Sequence, residues 1–208
     1  MPELSSTQTV SRSSYLELQD EQRLVNDGYE FLDEKRILLA AELLRQRDAY
    51  RQVRTSFMAH WERASAALLE AAADQGLGGL QVYPARESSA ARLNVRRRPY
   101  VGQTLLDASF EAGDAQPGYR PLLPSPVVRN CRESFGILLA AAARLAALGA
   151  NIARLVHEYR RTERRVRALE NVVLPEIRQQ LAAMEELLEL VEQEEVIRVR
   201  TLRTGRNL

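Results

Sequence analysis

Several residue types are scarce in this 208-residue chain, and each scarcity excludes something. The single cysteine, Cys131, rules out an internal disulfide and a cysteine metal cluster, and it fits a reducing compartment. The two histidines, His60 and His157, fall on different helical stretches, so no histidine-based metal or nucleophile–base site assembles around them. Only Lys35 among the 29 basic residues is lysine, so basic contacts are planar, always-charged guanidinium forks. No proline occurs between Glu3 and Tyr83, and Gly28 is the only glycine before Gly76, so little there interrupts a helix. The longest apolar run, Phe135 to Ala143, falls far short of the ~20 residues of a membrane span. The opening MPELSSTQTVSRSS has no apolar core and does not read as a signal peptide. Net charge is only +1 although 27% of residues are charged. That balance suits a long solvated helical surface and counts against nucleic acid, which calls for a basic excess.

What is present is periodicity. In the second half the apolar positions Leu138, Leu145, Ile152, Tyr159, Val166 and Val173 recur every seventh residue; then Ile177 follows after four, and Met184 and Val191 after seven each. Leu148, Leu155, Leu169, Leu181 and Leu188 widen the stripe. The first half carries a similar ladder: Leu18, Val25, Leu32, Leu39, Leu43, Tyr50, Phe57, Trp61 and Leu68. An apolar stripe is ordinarily the inner face of a core helix. A globular domain, however, rarely offers core along so many turns, whereas a seven-residue seam is satisfied by a partner helix wound around it.

The predicted fold is therefore all-α: a long antiparallel two-helix coiled coil with a small β-hairpin-containing insertion at the bend. The whole chain, 1–208, reads as one coiled-coil subunit. The first long helix covers 11–75, opening near Ser11–Ser14 with Ser14 and Glu17 as a capping box and stopping at Gly76, Gly78 and Gly79. Gly28 inside it suggests close approach of another backbone. The insertion, 76–124, gathers glycine and proline and shows short β-like runs at Leu80–Tyr83, Ala91–Arg97 and Tyr100–Leu105. The second long helix covers 125–204, with Pro126 at its first position. Pro175 lies inside it and removes an amide, which predicts a bend with the seam resuming at Ile177. Folding back near residue 100 pairs positions whose numbers add to roughly 200. Arg154, Arg160, Arg161, Arg164, Arg165 and Arg167 then lie opposite Asp33, Glu34 and Glu42.

No catalytic constellation, cofactor site or metal site emerges. Gly76-Leu77-Gly78-Gly79 lacks the lysine and the strand–loop–helix setting of a phosphate loop and reads as a helix stop. The run Arg161 to Arg165 is better explained by ion pairing across the coil than by phosphate. The glutamates between Glu185 and Glu195 read as a solvated face.

The string Glu170-Asn171-Val172-Val173-Leu174-Pro175-Glu176-Ile177, preceded by Arg164-Arg165-Val166-Arg167-Ala168-Leu169, resembles the D-subunit family of the V-type (archaeal-type) rotary ATPases. Gly28, Leu32, Lys35, Arg36, Leu38 and Leu39 supply a second match at family-like separation. The departures lie at Val10-Ser11-Arg12, where the family opens with Pro-Thr-Arg, and after Asn94, where the family's glycine is replaced by the arginines up to Arg98. The resemblance implies a non-catalytic central rotor shaft that couples ATP hydrolysis or synthesis to ion transport, hydrogen ions included. Its implied partners are the catalytic hexamer, a small central-stalk rotor subunit and a funnel-shaped coupling subunit above the membrane ring. It would sit in the cytoplasm, peripheral to the membrane, without inserting into it. Arg161, Arg164, Arg165, Arg167, Glu170 and Asn171 become candidate partner contacts, and Pro175 a shaft bend. The alternative is a generic coiled-coil scaffold or export-stalk protein, which explains the heptads but not the strings around Gly28 and Pro175.

Overall fold

The computed structural model describes residues 11–81, 83, 91–111 and 125–205. Helix α1 spans Arg12–Gln81, strands β1 Arg92–Tyr100 and β2 Gln103–Glu111 form one antiparallel hairpin, and helix α2 spans Pro126–Ala168. A π-helical turn, Leu169–Val173, leads directly into helix α3, Leu174–Gly205. The fold is thus all-α apart from the hairpin, with two long helical arms and the small hairpin between them in sequence. Contacts divide the chain into two compact units, Met1–Arg36 with Arg160–Leu208, and Ile37–Tyr159.

Both helical arms start on serine. Ser11 Oγ accepts the Ser14 amide at 3.2 Å, so Ser11 is the cap of α1, and the expected Ser14–Glu17 box is not the device used. Ser125 Oγ accepts the Val128 amide at 3.5 Å, with Pro126 at the position where a missing N–H costs nothing. At the far end of α1 the helix breaks at Gly76, whose φ of 67° and ψ of 163° suit glycine, and a further helical stretch runs on to Gln81. Leu80 and Gln81 are therefore helical and not part of a strand; residue 82 and residues 84–90 and 112–124 of the expected insertion lie outside the described residues. Gly28 is not a point of close approach: a Cβ there would meet nothing within 4 Å. At Gly149 a Cβ would touch the Tyr50 ring at 3.7 Å.

In the unit formed by Ile37–Tyr159, α1 and α2 pack in antiparallel register, with Gln46 hydrogen-bonded to Asn151 and Ala67 and Ala71 against Val128 and Cys131. One element of the first ladder is corrected here. Trp61 and Leu68 are 51% and 44% exposed, whereas Ala64 and Ala71 are fully buried. The sevens simply continue from Phe57 to Ala64 to Ala71, on small residues that an apolar-size criterion passes over. Leu39, Leu105 and Leu155 form a second buried cluster, flanked by Leu43, Tyr100 and Tyr159, and so tie the hairpin to both helices.

In the unit formed by the two chain ends, Val166, Leu174 and Ile177 are buried and Thr162 joins them on the same face. Arg12 pairs with Glu192, fixing the antiparallel sense of that unit. One helix, Pro126–Thr201, contains an 18-residue window long and apolar enough to cross a bilayer, a feature that run length alone does not reveal. Alanine supplies much of that character around Arg144; Leu138 and Ala147 are buried in their own unit, but only 17% of the window is buried.

Candidate functional site

The segment from Arg160 to Ile177 brings the sequence-predicted residues onto one stretch of helix. Thr162 and Val166 face inward, and Arg161, Arg164, Arg165, Arg167, Glu170 and Asn171 are all exposed. Arg167 makes an ion pair with Glu163 at 2.6 Å, one turn back on the same helix. Among the described residues, Arg160, Arg161, Arg164 and Arg165 have no ion-pair partner. Of the three acids expected opposite them, Asp33 pairs with Arg36 and Glu42 with Arg45 and Arg98, and Glu34 makes no ion pair with the row among the described residues. Pairing across the coil therefore does not account for this arginine row.

The π turn gives Pro175 its place. The Leu174 amide bonds the Leu169 carbonyl, five residues back instead of four. Pro175 follows as the second residue of α3, where it lacks the amide that an α-helix would aim at the Asn171 carbonyl. Asn171 donates its side-chain amide to the Arg167 carbonyl at 3.1 Å, within the stretch where the backbone ladder changes step. The sequence encodes this turn. Seam positions recur every seventh residue as far as Val173, and the following ones, Leu181 and Leu188, are displaced by one. A π turn absorbs one extra residue, so the later seam residues still face inward.

A second arrangement, not anticipated from sequence, fastens the hairpin. The Asn151 side chain accepts the Leu106 amide and donates to the Leu106 carbonyl, both at 2.7 Å. Arg45 grips the buried carboxylate of Glu42 with two donors, at 2.8 and 2.7 Å, Gln46 adds a bond at 2.8 Å, and Arg98 from β1 adds another at 3.0 Å. Burial pushes the Glu42 carboxyl up; the bonds from Arg45 and Gln46 and the charges of Arg45 and Arg98 outweigh it and leave the group below its ordinary value. Tyr100 donates to the Leu38 carbonyl at 3.1 Å, and the Arg98 guanidinium lies 5.5 Å from the Tyr100 ring centre. The available signal in the sequence is polar residues at seam positions, Gln46 and Asn151, among alanines and leucines. Among the described residues no cluster of metal-ligating side chains occurs.

A family model described as the D subunit of ATP synthase matches residues 14–204. The chain belongs to the ATP synthase D-subunit family. The V-type ATP synthase D subunit of Thermotoga neapolitana is 23% identical over 193 residues, covering 93% of this chain and 95% of that protein. A V-type ATP synthase D subunit of Treponema pallidum, the one numbered 2, is 26% identical over 199 residues, covering 95% and 94%. The A-type ATP synthase D subunit of a Desulfurococcus species is 28% identical over 199 residues, covering 93% and 92%. Members carrying both V-type and A-type names thus align with nearly the full length of this chain.

Proposed function

We propose that this chain is the central rotor shaft of a V/A-type ATP synthase and performs no chemistry itself. The family match over residues 14–204 carries the reading, because a protein built from two long paired helices suits the transmission of force. Stiffness comes from the seam. Bending either helix would open buried contacts along it, and each buried leucine is worth about 2–3 kcal/mol. Arg161, Arg164 and Arg165 would meet acidic surfaces of a surrounding catalytic hexamer, with Glu170 and Asn171 beside them. A small rotor subunit and a funnel-shaped coupling subunit complete the set of partners, and the complex holds the chain at the cytoplasmic face of the membrane.

The test is a reversible cross-link. A cysteine at the exposed Val199 is joined by oxidation to a cysteine in the facing head subunit of the reconstituted complex. A rotating shaft predicts that hydrolysis stops on oxidation and returns on reduction. Hydrolysis that continues at full rate through a quantitative cross-link excludes rotation of this chain against the head.

A further inference from the structure

The two outer edges of the hairpin differ among the described residues: Asn151 holds the main-chain groups of Leu106 on β2, and no such partner meets β1. Leu106 gives both its N–H and its C=O to Asn151, so neither can point toward β1. The pair Arg97↔Leu106 is therefore one of the non-hydrogen-bonded pairs of the ladder. Alternation then directs the main-chain groups of Leu93, Val95 and Arg97 outward along the free side of β1. Pro99 falls in the same outward set, the one place in a strand where its missing N–H is harmless. Among the described residues, no partner engages the outward groups of Leu93, Val95 or Arg97.

Every charged side chain on β1 is an arginine; Glu111 and Asp107 of β2 lie across the ladder from Arg92 and Arg96, and Arg97 faces Leu106. Arg92, Arg96 and Arg97 are exposed and have no ion-pair partner among the described residues; only Arg98 is neutralised, by Glu42. Such a row repels a second copy of itself, which is how open edges avoid self-pairing. Arg92 and Arg96 share one face of the strand and Arg97 lies on the other, so the edge favours a strand with carboxylates on both faces, for which cross-strand opposite charges are stabilising.

We propose that the free edge of β1 takes an extended acidic segment of a neighbouring subunit as a third strand of the sheet. Main-chain hydrogen bonds to Leu93, Val95 and Arg97 supply the attachment, and Arg92, Arg96 and Arg97 select acidic side chains. The inference rests on the chain's place in a multisubunit complex and not on its rotation.

Hydrogen exchange resolved to single amides, on the isolated chain and on the assembled ATPase, tests it. The amides of Leu93, Val95 and Arg97 should exchange freely in the isolated chain and slow at least about tenfold on assembly. The amides of Asn94, Arg96 and Arg98 point at β2, should be protected in both states, and report that the hairpin is intact. The double variant Arg92→Glu/Arg96→Glu should lose most of the slowing while the inner amides stay protected. Outer amides already slow in the isolated chain would show the edge filled by the chain itself and overturn the proposal. No slowing in an assembled, active complex would overturn it equally. Slowing indifferent to charge reversal would exclude an acidic occupant. None of these readings depends on rotation, which the cross-link at Val199 examines separately.

Discussion

Asn151 on α2 treats Leu106 on β2 as a neighbouring strand would, accepting its amide and donating to its carbonyl at 2.7 Å each. A single side-chain amide thereby occupies the outward main-chain groups of Leu106 and ties the hairpin to α2. Asn151 is 2% exposed, so its own amide has no water to turn to. Asn151→Leu should destabilise the chain by about 1–3 kcal/mol, the usual cost of leaving buried backbone groups unpaired. Urea unfolding measures the loss, and faster exchange at the Leu106 amide localises it. An unchanged midpoint together with an unchanged Leu106 amide would mean that the bridge contributes nothing.

Glu42 sets a pH dependence. Its pKa is held below the ordinary carboxylate value, because hydrogen bonds and nearby guanidiniums outweigh the upward push of burial. A depressed folded pKa contributes stability that is present above the unfolded value, about 4.3, and is lost as pH falls through the lower folded value. Glu42→Gln should therefore cost about 1.5–3 kcal/mol near neutrality, and the difference from the parent should shrink as pH drops below about 4. Denaturant titrations of both proteins across that range provide the comparison. A constant difference would assign the cost to packing instead of charge.

Much of this fold was legible in heptads, because long apolar residues at seven-residue spacing have no other economical use. Leu39, Leu155, Val166 and Ile177 are buried as the ladders require. The ladder failed where the seam is built from small residues. Phe57 led to Trp61, since tryptophan looks more like core than alanine, yet Ala64 carries the seam. The hairpin clamp was illegible for a different reason. Asn151 and Gln46 interrupt an apolar seam, and only three-dimensional pairing reveals that a strand backbone satisfies Asn151. The arginine row was visible in sequence, but not that Glu42 and Asp33 are bound to other partners.

The corrected seam makes its own forecast. Trp61→Ser should change stability by no more than about 0.5 kcal/mol, as exposed substitutions generally do. Ala64→Leu should cost about 1–3 kcal/mol by overpacking a filled interface. Thermal melts of the two variants would rank them. The reverse ranking would return Trp61 to the core.

Val101 and Gly102 form the hairpin turn, with φ of 44° and 78°. Positive φ at both positions is the mirror-image turn that suits a two-residue hairpin, and it favours asparagine followed by glycine. A β-branched residue in that region stores about 1–3 kcal/mol of strain. Val101→Asn should accordingly raise stability by about 1 kcal/mol and slow exchange at the Arg98 amide, with no new contact formed. If stability falls instead, the Val101 side chain supplies packing that outweighs its backbone strain.

The π turn before Pro175 leads to the most discriminating experiment. If the turn exists only because proline cannot complete an α-helix, Pro175→Ala should abolish it. If it exists because the seam holds one residue too many after Val173, Pro175→Ala should leave it in place, since removing it would rotate the following seam residues out of the interface. The register favours the second cause. Pro175→Ala should then keep its stability, whereas deleting Val172, an exposed residue of the turn, from the Pro175→Ala variant should convert the stretch to continuous α-helix with the seam intact. Deleting the exposed Ala153, where no extra residue exists, should destabilise the chain severely. Melting curves of the three variants decide between the causes. Stability equally poor in the Val172 and Ala153 deletions would refute the extra-residue account. The Val172 deletion also bears on mechanism, because it removes the local irregularity without opening the coil. In a reconstituted complex we expect ATP hydrolysis to persist while ion pumping per ATP falls, provided the turn shapes how the shaft meets its partners. Equal pumping per ATP would leave the turn as a register correction alone.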